Sequence, residues 1–116
     1  MSIEGLWTVQ FGTPQGNFGG GVIVLTRGRA QGGDGMYYYD GRYTLDGTQF
    51  RAELNVVHYF GPANSIFGNI RNLSLVLQGS TSERLIVGTG YDPRMTARTL
   101  NLQLRRVSEP VSGDQS

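Results

Sequence analysis

The chain of 116 residues has no cysteine, so it has neither a disulfide framework nor a thiolate metal site. It has no lysine, and that removes the lysine of a phosphate-binding P-loop. It has one histidine, His58, so any serine triad or imidazole metal site must be built on that residue. No apolar stretch approaches the ~20 residues of a membrane helix, and no membrane insertion is expected. The opening residues MSIEGLW lack a charged segment followed by an apolar run. A cytoplasmic location is the expectation.

Charge of one sign is also missing. Ten arginines and nine acids give a formal net charge of +1, and the arginines are spread from Arg27 to Arg106. No basic block marks a nucleic-acid surface, so no nucleic-acid partner is expected.

What the chain has is glycine. Eighteen glycines and four prolines are scattered between short apolar runs. Many short strands with tight turns fit that pattern. In Ile3 to Phe11, Ile3, Trp7, Val9 and Phe11 share one face, with Leu6 an exception on the other. Gly12 to Gly21 reads as a loop, and Val22 to Leu25 as a strand. Arg27-Gly28 and Asp46-Gly47 read as hairpin corners. In Phe50 to Phe60, the residues Phe50, Ala52, Leu54, Val56, His58 and Phe60 fall on one face. Gly61 to Arg71 breaks the alternation and predicts a short helical turn. Inward rows follow at Leu73, Leu75 and Leu77, at Leu85 and Val87, and at Leu100, Leu102 and Leu104. No segment keeps a helical period. The prediction is an all-β fold: an antiparallel up-and-down β-barrel of about eight strands, spanning residues 1–107 as one domain. Ser108 to Ser116 reads as a frayed polar tail.

The segment GGDGMYYYDG, Gly32 to Gly41, carries the most chemistry per residue. A phosphate cradle needs a helix N-terminus after the glycines, and strand-like residues follow here instead. A calcium β-roll needs stacked repeats, and there is one copy. We therefore read Gly32, Gly33, Asp34 and Gly35 as a kink or bulge in one strand that resumes at Met36. Strand geometry puts Tyr37 and Tyr39 on one side and Tyr38 on the other. Exposed tyrosines suit protein interfaces, so Tyr37, Tyr39, Tyr43 and Tyr59 are interface candidates. Ordinary sheet packing is the competing reading.

About eight strands enclose either a filled core or one small ligand. The candidates for a cavity wall are Trp7, Leu54, Val56, His58, Leu75, Leu85 and Leu102. No metal site or cofactor is expected, because one imidazole and scattered acids make a poor ligand set. Paired carboxylates in one cleft are not evident either. His58 admits two readings: a hydrogen-bonded interior histidine, or the base of a small hydrolase-like enzyme.

Several pieces together resemble a known family. They are Gly5 and Trp7, then GVIVL (Gly21 to Leu25), GRAQGGDGMYYYDGRY (Gly28 to Tyr43), SIFG (Ser65 to Gly68) and LSLVLQG (Leu73 to Gly79). The order resembles the GrlR family, small bacterial proteins named for a negative regulator of type III secretion. The likeness runs from about residue 3 to residue 106, and GGD followed by Y-x-G is its most specific part. It implies a lipocalin-like barrel, a homodimer, and an apolar interior for a lipid-like ligand. It also implies a non-enzymatic regulator that acts on a protein partner. The family's regulator uses a run of acids in a surface turn. The matching turn here, Leu45-Asp46-Gly47-Thr48, has Asp46 alone, so no residue of that acidic motif carries over.

Overall fold

Period-two alternation is the organising signal of the chain. β5 shows it without interruption, with Phe50, Ala52, Leu54 and Val56 buried and the residues between them exposed. The computed structural model describes residues 2–110. Its strands are β1 (Gly5–Gly12), β2 (Phe18–Thr26), β3 (Arg29–Gly33), β4 (Tyr37–Asp46), β5 (Gln49–His58), β6 (Asn72–Thr81), β7 (Leu85–Asp92) and β8 (Met95–Ser108). Each pairs antiparallel with the next, and β8 returns to β1, so the sheet closes into a barrel. Closure leaves no unpaired edge. The all-β, up-and-down barrel is as the alternation predicts, and it is consistent with the lipocalin-like form that the resemblance implies; no helix occurs among the described residues.

Register carries each inward row around the barrel. Ile23 lies opposite Gly32, Gly32 opposite Tyr39, Tyr39 opposite Val56, and Val56 opposite Leu73. Closer to the middle, Ala52 faces Leu77, which faces Gly90, which faces Leu100. Turn chemistry fixes that register. Arg27 and Gly28 both have positive φ (51° and 81°), as a two-residue type I′ hairpin requires. Asp92 ends β7 with one carboxylate oxygen on the Arg94 N–H and the other on the Arg98 guanidinium at 3.1 Å.

The glycine-rich stretch is not a kink in one strand. It is the end of β3 and a reverse turn into β4, which pairs back on β3 with Gly33 opposite Tyr38. The turn closes through the Asp34 N–H donating to the Tyr37 carbonyl at 2.9 Å. Gly32 and Gly33 have no positive φ. What they supply is space. A Cβ on Gly32 would collide with the Val22 carbonyl, and one on Gly33 would lie 2.7 Å from the Tyr37 oxygen.

Gly61 to Arg71 holds no helical turn. Ser65 and Gly68 form an isolated antiparallel bridge, exchanging backbone hydrogen bonds of 2.9 and 3.0 Å. At the C-terminus β8 extends to Ser108, opposite Leu6. Of the predicted frayed tail, residues 111–116 lie outside the described residues.

One end of the barrel is sealed. Ile3, Trp7, Leu25, Ile86 and Leu104 are its fully buried large side chains. The Trp7 indole N–H donates to the Ile3 carbonyl at 2.8 Å, which satisfies its one polar atom. The Arg106 guanidinium lies 5.8 Å from the centre of the Trp7 ring. It donates to the carbonyls of Ser2, Glu4 and Glu83, lashing the N-terminal segment and the β6–β7 turn across this end.

Candidate ligand cavity

Above that seal the interior is hollow. The cavity measures about 330 Å³. Its wall comes from inward rows on six strands: Val9 and Phe11 of β1, Ile23 of β2, Phe50, Leu54 and Val56 of β5, Leu73, Leu75 and Leu77 of β6, Leu100 and Leu102 of β8, with Tyr39 of β4. Small residues make the room. Ala52 stands in the wall where a leucine would fill it. At Gly19 a Cβ would run into the Phe11 ring, so glycine there lets the ring lie flat against β2.

The mouth lies at the opposite end from Trp7. It is rimmed by Phe18, by the β3–β4 turn (Asp34, Gly35, Met36) and by the β5–β6 connection (Asn64 to Phe67). Phe18 is 85% exposed, an unusual position for a phenylalanine without a partner.

Asp34 organises the polar part of this rim. One carboxylate oxygen accepts from the Met36 and Tyr37 backbone N–H groups, each at 2.8 Å. The other accepts from the Tyr39 hydroxyl at 2.5 Å. Its backbone carbonyl accepts from the Tyr59 hydroxyl at 2.7 Å. Gly21 leaves space for the phenol, because a Cβ there would lie 2.8 Å from the Tyr39 oxygen. Burial first, then the bond to Asp34 and the charge of that residue, push the Tyr39 phenol well above its ordinary pKa. Burial likewise raises Tyr37, whose hydroxyl donates to the Ile70 carbonyl at 2.5 Å.

Four of the seven wall candidates line this cavity: Leu54, Val56, Leu75 and Leu102. Trp7 does not, because it forms the seal below the floor. Leu85 does not, because β7 has the opposite parity. Ile86 is fully buried opposite Leu104, while Val87 is 52% exposed. His58 stands at the upper end of β5 with its Nε2 2.6 Å from the Gly61 carbonyl. A carbonyl only accepts, so Nε2 carries the proton. The ring meets Tyr37 edge-on at 5.5 Å and is not part of the cavity lining.

Among the interface candidates, Tyr37 and Tyr39 are buried and face the interior, so neither is free for an outer contact. Tyr43 is half-buried and stacked on Phe50 at 6.1 Å. Tyr59 alone of the four is largely exposed, beside Tyr38 at 6.4 Å. Sequence reasoning missed Asp34 as a cavity group, and missed Phe18, Met36, Ile66 and Phe67 at the mouth. The available signal for Asp34 was a turn aspartate followed by backbone N–H groups two and three residues on. For the mouth it was aromatic residues inside loops, where packing alone does not call for them.

Fold and cavity together define a small closed β-barrel with one sealed end and one open, apolar mouth. No family model matches the chain, and no curated protein matches it.

Proposed function

We propose that this chain is a non-enzymatic binding protein of the GrlR-like regulatory kind, taking a lipid-like apolar ligand in its barrel. One observation carries the reading: a cavity of about 330 Å³, walled by leucines and aromatic rings and open at one end. That volume is at the lower end of small-molecule sites. At ~30 Å³ for each atom-sized unit it holds on the order of ten carbons. Each buried CH₂ contributes roughly 0.8 kcal/mol, so burying a chain of that length contributes about 8 kcal/mol, the same scale as the freedom lost on association.

The regulatory part of the reading rests on the outer face and on the resemblance to the GrlR family. Register sets Val22, Gly33, Tyr38 and Val57 in one outward row, and Val22 and Tyr38 are exposed, as is nearby Tyr59. Such a patch suits a homodimer contact or a protein partner. A small hydrolase using His58 is less supported, because its ring reaches the Gly61 carbonyl and not an acid or a hydroxyl.

The test is binding of the neutral probe N-phenylnaphthylamine, whose ten-carbon naphthalene matches the cavity volume while its phenyl ring extends through the open mouth, and whose fluorescence rises in apolar surroundings. Wild type is expected to enhance it, and Leu75→Trp, which takes up part of the cavity, to weaken the enhancement while still unfolding cooperatively. Absence of enhancement by folded wild-type protein would overturn the cavity reading.

A further inference from the structure

We propose that the cavity selects a ligand whose polar head donates hydrogen bonds, an alcohol or a protonated amine on an apolar chain, and discriminates against a carboxylate head such as that of a fatty acid. This inference rests on the cavity reading above and adds the chemistry of the ligand's head.

Side-chain protons free to meet a ligand are scarce at the mouth. Asp34 as a carboxylate only accepts. It has about four acceptor sites, and three are taken by Met36 N–H, Tyr37 N–H and the Tyr39 hydroxyl. The Tyr39 proton is thereby committed, and its oxygen offers lone pairs. The Tyr37 hydroxyl proton is committed to the Ile70 carbonyl, and the Ser65 hydroxyl proton to the Gly68 carbonyl at 2.9 Å. What these side chains have left to offer a ligand is acceptor capacity. Asn64, exposed at the rim, is the one lining side chain with amide protons to give.

Charge points the same way. The lining holds one carboxylate, Asp34, and no arginine or histidine. A fatty-acid head at the mouth would find no cation in the lining and would face the like charge of Asp34. An ammonium would find a charge partner there, and an alcohol would find acceptors for its proton. Asp34 also shapes the turn, so its presence has a structural cause. The distinguishing fact is that the lining's polar side chains keep unused lone pairs and include no cation; Arg71, whose charge favours ionisation of Tyr37, stands outside the lining.

The experiment displaces N-phenylnaphthylamine from the full chain with three ligands of equal chain length: decylamine, decyl alcohol and decanoate, at neutral pH. The amine and the alcohol are expected to compete at concentrations at least about tenfold below decanoate, the scale of one hydrogen bond to a charged group. Asp34→Asn keeps an oxygen for the turn's N–H groups and removes the charge. It should narrow the gap between amine and decanoate by about tenfold while the neutral probe still binds. An amine stronger than the alcohol assigns the selectivity to charge, and equal strength assigns it to hydrogen bonding. Either supports the proposal. Decanoate competing as well as both overturns it, and the wild-type order alone decides this even if the variant does not fold. Wild-type protein that binds neither the probe nor any of the three overturns the cavity reading along with it.

Discussion

The two ends of this barrel are built from opposite choices. At the sealed end, hairpins of two or three residues keep the strands close, and Trp7, Leu25, Ile86 and Leu104 fill the interior. Arg106 ties three backbone carbonyls across the outside of that plug. At the open end, the connection from His58 to Asn72 is long and irregular, and its apolar side chains line space instead of closing it. Stability is concentrated where contacts are saturated, and binding needs the region where they are not. The same strands serve both, so one sequence alternation supports a core at one end and a cavity at the other.

The contrast can be broken most severely at the plug. Trp7→Ala removes a fully buried ring and its hydrogen bond, and should cost about 3–5 kcal/mol in urea unfolding. A loss below about 1 kcal/mol would mean that the plug does not anchor the fold. Gly33→Val comes next, at about 1–3 kcal/mol, because its side chain would press on the Tyr37 carbonyl and the β4 backbone. A thermal midpoint equal to wild type would show that the β3–β4 turn has room the structure does not.

Alkaline pH sharpens the comparison within the cavity. The Tyr39 phenol is held protonated in the fold, chiefly by burial, whereas an unfolded tyrosine ionises near pH 10. Above about pH 10 the unfolded state releases a proton that the folded state keeps, so stability falls as pH rises. Below about pH 10 the contribution is complete. Tyr39→Phe should flatten that fall without abolishing it, since burial raises Tyr37 and Tyr43 as well. An unchanged profile in unfolding experiments from pH 8 to pH 11 would count against it. The smallest expected effect on stability belongs to the mouth. Phe67→Ala should change unfolding by under about 1 kcal/mol, because the ring is only half-buried. It should nonetheless alter probe affinity measurably, and a variant that unfolds easily but binds normally would reverse the roles assigned to the two ends.

Much of the frame is legible in the sequence. Phe50 to Val56, Leu73 to Leu77 and Leu100 to Leu104 alternate apolar with mostly polar residues, so their inward faces were unambiguous. Arg27-Gly28 announced its turn by residue type, and Asp46-Gly47 announced one that falls a residue later, at Gly47-Thr48. Legibility stopped where both faces are apolar. Leu85-Ile86-Val87 offers no polar residue to choose a face, and pairing of Ile86 with Leu104 makes the choice. Tyr37-Tyr38-Tyr39 has the same ambiguity, and Gly32 opposite Tyr39 resolves it. The GGDG stretch is compatible with a bulge or a hairpin, since local propensity is the same for both.

The sequence by itself determined that the chain is a set of short antiparallel strands, because a period of two and its turn residues are local properties that survive in any arrangement. Only the tertiary structure decided which tyrosines point inward, that Asp34 joins the cavity, and that the interior is hollow at one end. Those outcomes depend on which rows meet across the closed barrel and on whether their summed side-chain volumes fill it. Neither quantity exists until distant strands are brought into register.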